Sequence, residues 1–184
     1  MRTPGGENEP GSDHPAVRLT VLSYYQPESI WENADTIITT GSELDGIESA
    51  YQTYQEWGWP VSLRGDQVRL ETQADMVGLI IPTLLATELT TTLAAQRSSP
   101  PVVVHPAAPT HRMLVCSEPF AVALPWPPAV LRVDPPLLLP PTPTPRGPLA
   151  WGNQPHPHGL RLCREIDAFA ALRTLLKDLL FPPP

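Results

Sequence analysis

Four histidines, His105, His111, His156 and His158, are the first residues whose chemistry suggests a site. His156 and His158 flank Pro157 and could offer two imidazoles to a metal. A structural or catalytic centre takes three or four ligands, and no nearby carboxylate or cysteine completes this one. They read as exposed loop residues. His105 and His111 bracket a proline-bearing loop and could approach each other or Cys116. A Cys–His nucleophile would need that contact and an orienting third group. Cys116 instead ends the apolar run Arg112-Met113-Leu114-Val115-Cys116, which reads as core. Carboxylates give no better start. Two-metal phosphoryl transfer needs two acids on adjacent inward-facing strand positions, and no predicted strand carries Asp-x-Asp or Glu-x-Glu. Glu7 and Glu9 fall in a polar tail, and Glu165 and Asp167 point to different helix faces. No glycine-rich phosphate loop occurs. No catalytic residue, metal ligand or cofactor site is assigned.

Prolines and tryptophans are the remaining candidates. The run Pro140-Pro141-Thr142-Pro143-Thr144-Pro145 suits an aromatic groove on a partner protein, because polyproline arrives already extended and loses little entropy on docking. The competing reading is a rigid connector over a sheet edge. Trp57, Trp59, Trp126 and Trp151 could line a ligand groove or anchor irregular structure on a core. The partner-binding candidates are therefore Pro140, Pro141, Pro143, Pro145, Trp126 and Trp151.

Several elements must position these residues. Asp45-Gly46-Ile47-Glu48 has the spacing of a capping box, so a helix is expected from Asp45. Ile47, Ala50, Tyr51, Tyr54 and Trp57 lie on its inner face, and Gly58 stops it. Two alternating runs around Gly65-Asp66 predict a hairpin in which Arg64 pairs with Gln67, Leu63 faces Val68 and Val61 faces Leu70. That turn also accounts for the adhesive-looking tripeptide Arg64-Gly65-Asp66. Residues 76–81 read as a buried strand. Pro82 then suits the first position of a helix over residues 83–96, with Leu85, Leu89 and Leu93 inward. Residues 102–104 and 112–116 are expected to join the hairpin in one sheet. Short strands follow at 130–133, 137–139 and 149–151, between prolines that cannot sit inside a sheet. Leu162, Ile166, Phe169, Leu172, Leu176 and Leu179 mark an amphipathic helix over about residues 160–180. Residues 17–24 and 37–38 hint at two more strands.

Composition bounds the rest. The 184 residues, 41% hydrophobic and 17% charged, fit one domain. Of the 26 prolines, 17 fall between Pro100 and Pro157, so proline is a local feature rather than a sign of general disorder. Residues 1–15 hold little that could be buried and are expected to be a disordered acidic tail before a single α+β domain at 16–184. The net charge is −7, concentrated near the N-terminus, and leaves no basic stripe for a nucleic-acid backbone. Lys177 is the sole lysine beside eleven arginines, a codon skew expected of a GC-rich bacterium. Two cysteines make no disulfide framework, and no apolar stretch suits a signal peptide or a membrane span, so a cytoplasmic location is expected.

Two stretches resemble the N-terminal domain of bacterial bifunctional primase/polymerases, of the archaeo-eukaryotic primase superfamily. One runs from Ile47-Glu48-Ser49-Ala50-Tyr51 through Glu56-Trp57-Gly58-Trp59-Pro60-Val61 and is similar to that domain's opening helix and "Gly-aromatic-Pro-Val" strand. The other joins Leu137-Leu138-Leu139-Pro140-Pro141-Thr142 to Arg146-Gly147-Pro148-Leu149-Ala150-Trp151. The resemblance implies an acidic metal-binding pair on a strand between them, where this chain reads His111-Arg112-Met113-Leu114-Val115-Cys116-Ser117-Glu118, with one acid. The family's Ser-x-His is also missing, so no catalytic role carries over. The expected fold is a mostly antiparallel sheet covered by about three helices, with proline-rich loops. The expected function is noncatalytic protein binding or regulation, with a protein partner met through the acidic tail or the proline-rich segment, and the alternative is a nucleotide- or nucleic-acid-binding relic of the primase fold.

Overall fold

The computed structural model describes residues 41–71, 75–155 and 162–180. The expected tail at 1–15, the strands at 17–24 and 37–38, and His156 and His158 lie outside the described residues. The chain runs through α1 (Gly41–Glu56), β1 (Val61–Arg64), β2 (Gln67–Leu70), β3 (Met76–Pro82), α2 (Thr83–Ala95), β4 (Val102–Val104), β5 (His111–Ser117), β6 (Leu131–Val133), β7 (Leu137–Leu139), β8 (Ala150–Asn153) and α3 (Glu165–Leu180). The fold is α+β, and its strand pairs are antiparallel.

The hairpin has the register that its turn dictates. Arg64 pairs with Gln67, Leu63 with Val68 and Val61 with Leu70, and Gly65 takes a φ of +61°, as a two-residue turn with glycine first requires. The expectation of one sheet is corrected. β1 and β2 form a three-stranded sheet with β7, while β6-β3-β5-β4-β8 form a second, five-stranded sheet. A strand has only two hydrogen-bonding edges. Those of β3, β5 and β4 are all taken by one another and by β6 and β8, so the hairpin must find its partner elsewhere.

Alternation along β3 and β5 divides the interior in two. Val77, Leu79, Ile81, Leu114 and Cys116 face a core shared with Ala86, Leu89, Leu93, Ala168 and Leu172 of α2 and α3. Ile80, Met113 and Val115 face the opposite core, built from Ile47 and Tyr54 of α1, Trp59, the hairpin and Leu137, Leu138 and Leu139. Gly78 is required on that side, since a Cβ there would stand 3.0 Å from Met113 Sδ and 3.3 Å from Leu137.

Each helix ends or begins for a local reason. α1 starts at Gly41, not Asp45. Glu43 and Leu44 are good helix formers that extend it past the capping-box spacing, and Asp45 is an exposed residue within the helix. Its C-terminus is a Schellman motif: Trp59 N–H donates to Tyr54 O (3.0 Å), Gly58 N–H donates to Gln55 O (2.9 Å), and Gly58 has a φ of +75°. Pro82 is the residue before α2 rather than its first, and Thr83 N–H is taken up by Thr110 O at 2.8 Å. α3 begins at Glu165 instead of near residue 160. Cys163 O accepts Ser117 N–H at 2.8 Å, so the preceding residues lie extended beside β5. Among the described residues no helix is long and apolar enough to cross a membrane.

The start of α3 is held by one carboxylate. The Glu165 side chain is 1% exposed, and its Oε1 accepts from Arg132 Nε of β6 at 2.8 Å. Its Oε2 accepts Phe120 N–H at 2.5 Å, while Arg132 also reaches Asp134. Glu165→Ala would leave a mostly buried guanidinium and a backbone donor without this partner. It should cost about 3 kcal/mol, read as a lowered urea midpoint at unchanged slope, with Asp134→Ala costing well under half as much.

Candidate functional site

The Schellman turn that ends α1 throws Trp57 and Trp59 back toward Tyr54, and the strand β8 brings Trp151 to the same place. Tyr54 stacks on Trp59 at 5.7 Å and meets Trp151 edge-on at 6.1 Å. Trp57 lies 5.4 Å from Tyr54 and 5.9 Å from Trp59. Such tilted and edge-to-face pairs suit the ring quadrupoles. Tyr54 Oη is the polar centre: it donates to Pro140 O at 2.5 Å and accepts from Trp151 Nε1 at 2.9 Å. Burial pushes the Tyr54 phenol up to about 12, with the Trp151 hydrogen bond pulling weakly the other way.

A groove of about 370 Å³ opens beside this cluster, walled by Tyr54, Trp57, Pro140, Pro141, Leu149 and Trp151, with Ser49, Thr53 and Gln154 at its rim. None of its lining residues is charged. The proline run supplies a wall and is firmly seated. Pro140 is buried, Pro141 and Pro143 are half-buried and Pro145 is exposed. Thr142, fully buried, accepts Val68 N–H through its hydroxyl at 2.9 Å, and Thr144 Oγ1 donates to Gly147 O at 2.6 Å. Of the six partner-binding candidates the groove thus joins Pro140, Pro141 and Trp151, while Pro143 and Pro145 continue beyond it. Trp126 belongs elsewhere. It packs edge-on against Phe169 of α3 at 5.1 Å in the second core, and its buried indole N–H meets no acceptor among the described residues.

The histidine candidates are held locally. His105 is buried and its Nδ1 accepts Ala107 N–H at 3.0 Å. His111 lies 3.0 Å from Thr110 Oγ1, and partial burial lowers its pKa. His111 and Cys116 point to opposite faces of β5, so these two do not pair as a nucleophile and its base. Among the described residues no three His, Cys, Asp or Glu side chains come together in a way that would hold a metal ion. Cys116 instead lies beside Cys163, whose thiol donates to Arg164 O at 3.3 Å. Neither this pair nor the Arg132–Glu165 clamp was foreseen, because their members are far apart in the chain and no local pattern links them. Comparison with protein-family models, curated proteins and solved structures gave no match.

Tyr54 makes this arrangement measurable. Its folded pKa lies above the ordinary value of 10.0, so the stability it contributes is complete below about pH 10 and is lost as pH rises toward about 12. Tyr54→Phe should cost about 1–3 kcal/mol at neutral pH, since Pro140 O and Trp151 Nε1 lose their partner. It should also flatten the fall in stability across that alkaline window, followed by urea unfolding at stepped pH and by tyrosinate absorbance.

Proposed function

We propose that this chain is a noncatalytic binding protein of a bacterial cytoplasm, and that it holds an extended, proline-bearing segment of a partner protein in the aromatic groove between α1 and β8. The observation that carries this reading is the groove's composition: tryptophan, tyrosine and proline walls, a hydroxyl and amide rim, and no charged lining residue. Aromatic grooves accept polyproline segments because the ligand is already extended and its rings lie flat against the aromatic faces. The seated run at residues 140–145 is then part of the receiving surface.

A second reading is a nucleotide-binding relic of the primase/polymerase fold without its acidic pair. One observation favours it. The two stretches that carry the resemblance pack against each other, through Tyr54 on Pro140 and Trp151 on Tyr54. The uncharged lining weighs against a phosphate-bearing occupant.

A fluorescence titration separates the two. Short polyproline peptide should change tryptophan emission saturably, and a proline-free peptide of equal length should not. Ser49→Arg, at the exposed rim and outside the core, should weaken binding about tenfold or more. No saturable change at millimolar peptide refutes the proposal. Saturation by a nucleoside triphosphate with Mg²⁺ in place of peptide transfers the groove to the second reading.

A further inference from the structure

On the opposite side of the five-stranded sheet lies a site independent of the groove. Cys116 is on β5 and Cys163 on the extended stretch before α3, and both are fully buried. The parallel bridge between Ser117 and Arg164, with Ser117 N–H donating to Cys163 O at 2.8 Å, sets Cys116 directly beside Cys163. Neighbouring extended chains lie roughly 5 Å apart, inside the ~4.4–6.8 Å Cα separation that a disulfide spans. The pairing register therefore brings the two reduced cysteines within the Cα separation that a disulfide spans.

The two thiols differ in ways that assign them roles. Cys163 is flanked by Leu162 and Arg164, both of which line a cleft, and its thiol donates to Arg164 O at 3.3 Å; its pKa is lowered, chiefly by the neighbouring Cys116 thiol and against the opposing effect of burial. Cys116 has its pKa raised by the neighbouring Cys163 thiol and by burial. The pair is buried but not remote from solvent. A cleft of about 570 Å³ is lined by Ser98, Ser117, Leu162 and Arg164, each next to one of the two cysteines in sequence or bonded to one. Its lining includes Arg97 (φ +60°), the left-handed residue that closes the C-terminus of α2, and Glu118 (φ +50°). Neither cysteine lines the cleft itself and both are fully buried, so only a small oxidant such as hydrogen peroxide suits the site.

We propose that Cys116 and Cys163 form a redox-active dithiol, a modification site that small hydroperoxides oxidise to a disulfide fastening α3 to β5. The Cys163 thiolate attacks one peroxide oxygen, the O–O bond breaks, and the other oxygen leaves with a proton as water or an alcohol. Cys163 is then a sulfenic acid. Cys116 gives up its proton and attacks the sulfenic sulfur. The S–S bond forms, the S–O bond breaks, and hydroxide leaves with that proton as water. Two thiols lose two electrons and the peroxide gains them. A small dithiol reductant reverses the change.

The test treats the folded full-length chain with hydrogen peroxide and follows intact mass and thiol alkylation. The expected product is a monomer lighter by two hydrogens, with both cysteines protected from alkylation until dithiothreitol is added. Its Tm should rise by about 10 °C, since the bond closes a loop of some 45 residues. Cys116→Ser should accumulate a dimedone-reactive sulfenic acid at Cys163, and Cys163→Ser should leave Cys116 unmodified. Equilibration of the unmutated protein in glutathione buffers gives a potential that depends on no variant. The proposal is overturned if the native protein stays dithiol under peroxide that oxidises it in urea, if Cys116 takes the first oxygen, or if only intermolecular disulfides form.

Discussion

The pairing of β3 with β5 is the constraint on which the remainder of the molecule rests. Seven residues of each strand are in register, and both faces are covered by aliphatic side chains from different elements. A ladder buried on both faces cannot slip by one residue without exchanging its two cores. Its position then fixes the two chemically distinct regions. The face carrying Ile80, Met113 and Val115 supports α1, the second sheet and the aromatic groove. The face carrying Leu79, Leu114 and Cys116 supports α2, α3 and the dithiol.

What the sequence made legible was what short-range geometry determines. Gly65 and the alternation around it specify one hairpin register, and Gly58 at the end of a periodic run specifies one helix end. Long-range choices were not legible. Nothing near Leu137 announces that it will pair with Leu70, since three leucines between prolines fit either sheet. The start of α3 was misplaced for a related reason. Leu162 continues the apolar spacing of the helix, yet its neighbour Cys163 has its carbonyl committed to β5. That backbone bond decides the boundary, and side-chain periodicity does not record it.

The candidate sites divide in the same way. Tyr54 and Trp57 could be placed on one face because a helix repeats every 3.6 residues, while Trp151 and Trp126 could not be told apart. One joins the Tyr54 hydroxyl and the other packs on Phe169, a difference made by long-range packing rather than by their immediate neighbours. The cysteine pair depends on a single parallel bridge between segments far apart in the chain.

β7 gives the fold a protection of another kind. Three consecutive leucines forming the outer strand of a sheet would ordinarily be an aggregation hazard, since a bare apolar edge invites a second chain to add its own strand. Here Pro135 and Pro136 precede that strand and Pro140 and Pro141 follow it. Proline offers no amide hydrogen, so a would-be intruder could extend its pairing in neither direction. The prolines thus bound this outer strand to three residues, a margin too short to template growth, while its leucines stay buried.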